Sequence, residues 1–368
     1  MAKHSSSWFL ARWFWLFQRR HPTAGFTLLE LLISVFIGGI ITSTLLYSVV
    51  ELLKVNQRES SRAETQREMQ LAMDYIGAEL RQAVFVYDGK CLSGAKTFVS
   101  NGCSGVTNFL PTAINTTGTS PVLAFWRVDE LPQVLINRCA TNVAQLNSTD
   151  TTVISGVPCL SRRTYSLVVY YLDINNPGNT WSGKARLKRY ALTQFQADGS
   201  PNPGWVDPTT TNNKFLGWPF NANGANLQEA DKLSDGSTNL YKGATVAVTP
   251  PVLVDFVDDN TSASTATACP RDSLAAGSSL PGFERSPSGT GITSFYACVR
   301  GGSFTDTSGA ISNAGVPNNA GGRNQEVALF LRGNAAGRSG IPLTAKVVFD
   351  LQTRVLSRGS FEKSPAPQ

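Results

Sequence analysis

Histidine is nearly absent from this chain, and the two that occur, His4 and His21, both fall within the first 25 residues. Beyond them no imidazole is available as a general base, as a zinc ligand, or to complete a Ser-His or Cys-His arrangement. Other catalytic signatures are missing too: there is no G-x-S-x-G elbow, no H-E-x-x-H, no P-loop and no G-x-G-x-x-G opening a helix. None of the six cysteines stands in C-x-x-C spacing, which argues against zinc or thioredoxin-type chemistry. The sequence therefore implies no enzyme and no cofactor.

Charge is also sparse, at 16% of residues. The formal net charge of +6 is unevenly placed. Lys3, Arg12, Arg19 and Arg20 give the first 25 residues +4 with no acid, leaving 28 basic against 26 acidic residues in the rest. A nucleic-acid footprint needs a clustered basic face, and none is visible. No nucleic-acid partner is expected.

Proline is missing between Pro22 and Pro111, which leaves that stretch free to form a long helix. "WFLARWFWLF" (8–17) is a short aromatic run broken by Arg12, suited to an interface. No small-residue cleavage site of the secretory kind follows it. A second run, Leu31 to Val50, carries no charge and spans about 30 Å of hydrocarbon as a helix. Positive charge precedes it and mixed charge follows (Glu51, Lys54, Arg58, Glu59), so the N-terminus is expected in the cytoplasm and the remainder outside. Cysteine usage agrees, since Cys91, Cys103, Cys139, Cys159, Cys269 and Cys298 all follow the span and an even count outside the cytoplasm favours disulfides. Fifteen connectivities are possible; pairing in chain order closes the shortest loops and is favoured.

The helical pattern continues past the span. Met69, Met73, Ile76, Leu80 and Val84 form one apolar stripe opposite Arg62, Glu64, Arg67 and Glu68, which predicts a single helix from Phe26 to about Val86. Its second half needs a sheet to cover that stripe. "PVLAFWRV" (121–128), "TYSLVVYYL" (164–172), "ARLKRYALTQF" (185–195), "PPVLVDFV" (250–257), "SFYACVR" (294–300), "EVALFLR" (326–332) and "TAKVVFDL" (344–351) read as its strands, rich in β-branched and aromatic residues. Residues 196–240, 258–290 and 301–324 read as loops, and the tail "EKSPAPQ" as disordered. The expected organisation is a leader (1–25), a transmembrane half-helix (26–53), an amphipathic half-helix (54–86), a β-rich extracellular domain (87–361) and a tail (362–368). The fold class is α+β, a long N-terminal helix packed on an antiparallel sheet with long loops.

One carboxylate, Glu30, sits at the start of the apolar run. Such a charge costs roughly 2.5–3.5 kcal/mol at the bilayer centre and less near the interface, so a partner is expected. Gly25 followed by "FTLLE", after a basic leader and before a long apolar helix, resembles the type III signal of type IV pilins and type II secretion pseudopilins. The resemblance implies that a membrane prepilin peptidase cuts between Gly25 and Phe26 and N-methylates Phe26. It also implies that Glu30 pairs with the N-terminal amine of a neighbouring subunit. Such a pair is physically sensible, because opposite charges in low dielectric attract strongly and each would otherwise stay uncompensated. "QLAMDYIGAELRQAVFVYDG" (70–89), "PVLAFWRVDELPQV" and "YSLVVYYLDINNPGNTWSGKARLKRY" further resemble hormogonium polysaccharide secretion pseudopilins of filamentous cyanobacteria. That resemblance implies a subunit that assembles into, or primes, a pilus-like machine for polysaccharide secretion and gliding motility. Its expected partners are the prepilin peptidase, other pilins, the inner-membrane assembly platform and the secreted polysaccharide.

Two rival readings attach to particular residues. Asp255, Asp258 and Asp259 in "VDFVDDN" are a candidate calcium site, although the spacing is not that of an EF-hand loop and such clusters usually form solvated turns. Trp181, Trp205, Trp218 and Phe220 lie in or beside loops and suit either sugar stacking, as in an adhesin-type minor pilin that binds glycan, surface or DNA, or the plugging of a small core. Trp126 lies mid-strand and is assigned to the core.

Overall fold

The computed structural model describes residues 25–99, 102–141, 157–232, 250–260, 268–270, 283–289, 291–300 and 325–357. The aromatic leader, both histidines, the 301–324 loop and the tail lie outside these residues. The chain divides into two units, Met1–Asn56 and Gln57–Gln368, and helix α1 (Leu28–Arg81, 54 residues) contributes to both.

In the first unit, α1 is apolar on all sides and continues through Gly38 and Gly39 without interruption. Its polar side chains satisfy themselves locally. Thr42, Ser43, Thr44 and Ser48 each donate to the carbonyl four residues earlier at 2.7–2.9 Å. In hydrocarbon, where no water competes, such internal bonding lets a helix carry hydroxyl groups. By length and composition α1 can cross a membrane, and with its apolar N-terminal half the chain fits a single-pass membrane-anchored protein.

In the second unit the helix becomes amphipathic, with Met69, Ala72, Met73, Ile76 and Leu80 buried. The helix stops at Arg81 rather than Val86, and Ala83–Val86 is strand β1. All four residues of β1 are buried; Ala83, Phe85 and Val86 pair with Arg127, Trp126 and Phe125, and the register shifts at Val84. A β-branched and aromatic run flanked by such a partner favours a strand over two more helical turns. Val84, aligned with the helical stripe in the sequence, consequently joins a different core layer.

The sheet is antiparallel throughout: β1, β2 (Thr119–Glu130), β3 (Arg163–Asp173), β4 (Ala185–Leu192) and β5 (Val252–Val257) pair in chain order. Strand β5 reaches β8 (Glu326–Asn334) through a single pair, Val257 with Gly333. Strand β8 also pairs with β7 (Phe295–Arg300) and β9 (Val348–Leu356), and β7 pairs with β6 (Phe283–Ser286). Within the sheet, the later strands depart furthest from the sequence expectation. Strand β6 lies inside the stretch read as a 258–290 loop, and β9 is displaced from 344–351 to 348–356. In β9, Phe349, Leu351 and Val355 alternate toward the helix core, and that alternation fixes its register. Two short helices, α2 (Gly89–Leu92) and α3 (Gln133–Thr141), interrupt the connections.

Two hydrophobic layers result. The inner one joins the α1 stripe to Val122, Phe125, Val168, Leu187, Val254, Ala297, Leu329 and Val355, so strands from both ends of the order cover the helix. The outer one packs the 89–114 and 205–227 loops on the opposite face of β1–β4, around Trp126, Trp218, Phe85 and Phe215. The stretch 196–232, read as loop, is thus part of the core. Disulfides join Cys91 to Cys103, Cys139 to Cys159 and Cys269 to Cys298, in chain order.

Candidate functional site

The N-terminal site is built by the first turn of α1. Gly25, Phe26 and Thr27 precede the helix, and Thr27 occupies the cap position. The Glu30 amide donates to the Thr27 carbonyl at 3.0 Å and lies 3.3 Å from Thr27 Oγ1. "TLLE" is therefore a T-x-x-E capping sequence, with a threonine oxygen meeting the third helical N–H. The carboxylate of Glu30 stands in the turn where the helix dipole favours negative charge. Among the described residues that carboxylate makes no hydrogen bond or ion pair. Gly25 also has no structural constraint, since a Cβ added there would meet no atom within 4 Å. The chain's own packing does not call for glycine at this position.

A second cluster holds the helix on the sheet, and it was not singled out in the sequence. Glu79 lies on α1 between Ile76 and Leu80 and is only 5% exposed. Arg189 of β4 donates to it from Nε at 3.0 Å and from Nη2 at 2.8 Å, a two-pronged grip. Arg127 of β2 and the hydroxyl of Tyr170 of β3 also donate to its carboxylate. Arg127 is held in turn by Asp129 at 2.8 Å. Burial opposes ionisation of Glu79, but the bonds from Arg189 and Tyr170 and the charges of Arg189 and Arg127 outweigh it, holding the carboxyl below its ordinary range. Burial, reinforced by the bond to Glu79, pushes the Tyr170 phenol up. The readable signal was an acid within an otherwise apolar helical stripe.

The remaining sequence candidates separate. Asp255, Asp258 and Asp259 take different partners: Asp255 accepts from the Gly183 amide at 3.1 Å, Asp258 from Asn334 at 3.1 Å, and Asp259 lies 3.9 Å from Lys184. No group of three acidic, histidine or cysteine residues able to hold a metal occurs among the described residues. Trp205, Trp218 and Phe220 are buried in the outer core, with the indole N–H groups of Trp205 and Trp218 donating to the carbonyls of Tyr165 and Val206. They do not form an exposed stacking surface. Trp181 differs, at 37% exposure. The Asn176 side chain bonds both its N–H (3.1 Å) and its carbonyl (2.8 Å), fixing it at the rim of a cleft of about 580 Å³ beside Leu71, Tyr75, Asp255 and Arg338.

No curated protein and no solved structure matches this chain. Residues 20–46 match the prokaryotic N-terminal methylation motif. That motif, the long apolar helix it opens, and the antiparallel β domain that follows are consistent with an α+β pilin-like fold and support a pilin-like subunit.

Proposed function

We propose that the chain is a minor pilin or pseudopilin, cut between Gly25 and Phe26 by a prepilin peptidase, N-methylated on Phe26 and assembled with other pilins through its apolar half-helix. The observation that carries this reading is the methylation motif at 20–46, which ends within an exposed apolar helix. The open space around Gly25 supports it, because the need for a small residue then comes from the peptidase rather than from the fold. Glu30, without a partner among the described residues, supplies the negative charge for the amine of an adjacent subunit. The basic leader places the N-terminus in the cytoplasm and the β domain outside, anchored in the inner membrane and assembled into a pilus-like fibre. The machine serves polysaccharide secretion and gliding motility, as the resemblance to hormogonium pseudopilins implies. Intact-mass analysis of protein purified from its native membrane tests the processing: the mature chain begins at methylated Phe26, and any other start overturns the assignment. Cells lacking the gene test the role, since unchanged polysaccharide export and motility would refute it.

A second reading, an adhesin-type minor pilin, is favoured by one observation: Trp181 held at the cleft rim beside Tyr75. Under it, Trp181→Ala abolishes binding of the chain to a glycan array without changing its melting temperature. Absence of any glycan bound by the wild-type chain removes this reading.

A further inference from the structure

From Gln57 to Glu68 the attachment of α1 to the β domain is polar and comes from one loop. Among the described residues, the loop between β8 and β9 (335–347) supplies the hydrogen bonds and ion pairs that hold this stretch: Ser339 Oγ accepts from the Gln57 side-chain amide, the Ser339 carbonyl accepts from Ser61 Oγ at 2.8 Å, and the Gly340 carbonyl accepts from Arg58 Nε at 3.1 Å. Arg338 pairs with Glu64 at 2.9 Å and with Glu68, while its guanidinium lies 4.2 Å over the Phe256 ring. The only buried helix residues in this stretch are Ser61 and Thr65, and the first buried apolar side chain is Met69. The loop itself is fixed to the domain. Gly337, at φ +91°, packs so closely on the Ser182 carbonyl that a Cβ there would lie 2.3 Å from it. Its turn is closed by the Gly337–Ile341 and Ile341–Arg338 backbone bonds.

We propose that this loop is a releasable clasp, from which helix residues 57–68 detach as a unit while Met69–Leu80 stays docked. The two parts of the attachment differ in kind. The lower part consists of partly exposed ion pairs and hydrogen bonds, with Glu64 61% exposed, and such contacts are weak and screened by salt. The upper part is apolar burial reinforced by the buried Glu79 ion pairs, which salt screens much less. Segments with few buried apolar contacts open at the low end of a protein's range of local stability. Opening the clasp releases the stretch 57–68, about 18 Å of helix at 1.5 Å per residue, from the domain.

Amide hydrogen exchange on the full chain in detergent, comparing wild type with Arg338→Ala, tests this. Amides within 57–66 should exchange roughly tenfold faster in the variant, while those of 69–80 keep their wild-type rates. Raising salt to about 1 M, where the screening length falls to about 3 Å, should reproduce the effect in the wild type. A Glu64→Gln, Glu68→Gln double variant, which leaves the loop intact, should behave like Arg338→Ala. Unchanged exchange in 57–66 overturns the proposal, and so does an acceleration that extends equally through 69–80.

Discussion

Arg189 holds Glu79 with two nitrogens, at 3.0 and 2.8 Å, across the interface between a strand and the helix it supports. The pair fixes which turn of α1 faces β4, because apolar packing alone would tolerate a sliding helix better than a forked hydrogen bond does. Removing Arg189 leaves the buried Glu79 carboxylate with Arg127 and Tyr170 alone, a loss bounded by the roughly 3–5 kcal/mol of breaking a buried pair. Arg189→Met should therefore lower the thermal midpoint of the full chain in detergent far more than a surface Arg→Met change such as Arg354→Met. Equal shifts would show that the pair contributes little.

The same carboxyl sets an acid limit. Its folded value lies below the ordinary 4.5, so its stabilisation is fully present above that value and is lost as pH falls through the lower folded one. Wild-type stability should decline as pH drops below about 4.5, and Glu79→Gln should flatten that part of the profile. Denaturant melts between pH 3 and 6 would settle the sign; a decline of equal steepness in the variant would remove Glu79 as its source.

The inner core offers a separate check. Ile76 is fully buried against strands from both ends of the sheet. Ile76→Ala should cost about 2–5 kcal/mol, whereas truncating exposed Leu71 on the same helix should cost well under half of that. Similar costs for both would mean that the helix does not dock as described.

Non-reducing peptide mapping should find Cys91–Cys103, Cys139–Cys159 and Cys269–Cys298, with no free thiol. Opening one bridge should cost about 2–5 kcal/mol, by relieving the constraint on the unfolded chain. Free thiols in native material would contradict an oxidising compartment.

For assembly, Glu30→Gln is the informative change. A neutral amide enters the membrane more easily, so insertion and processing should continue. Incorporation should fail, because the neighbouring amine loses its counter-charge in low dielectric. Normal export by cells carrying only this variant at wild-type level would refute the pairing. Gly25→Glu should do the reverse and leave an uncut chain, visible as a heavier band.

Much of this was legible in the residues themselves. The span, the Met69–Leu80 stripe, the disulfide pairing and most strands follow from periodicity, β-branched content and chain-order cysteines. The helix end escaped because Val84 continues a helical spacing, and only the pairing of its neighbours Ala83, Phe85 and Val86 with β2 decides in favour of a strand. Strand β6 is four residues, two of them charged, and is recognisable only beside β7. Glu79 escaped for a different reason: its one sequence-local donor, the Tyr75 hydroxyl at 3.5 Å, is weak, and the donors that grip it come from three strands 48 to 110 residues away.

The single Val257–Gly333 pair between β5 and β8 has a consequence for cooperativity. A sheet joined by one rung does not transmit order along a continuous ladder. Strands β1–β5 and β6–β9 are joined instead by side chains and by α1: Gln325 accepts from the Val86 amide and donates to its carbonyl, Ser286 Oγ donates to the Val122 carbonyl, and α1 is held by Arg127, Tyr170 and Arg189 from one side and by Val355 and the Arg338 loop from the other. The helix is thus one of several braces that cross the weak seam of the sheet. Order therefore passes between the two halves through buried side chains rather than along the ladder, and the full chain should lose both in one transition.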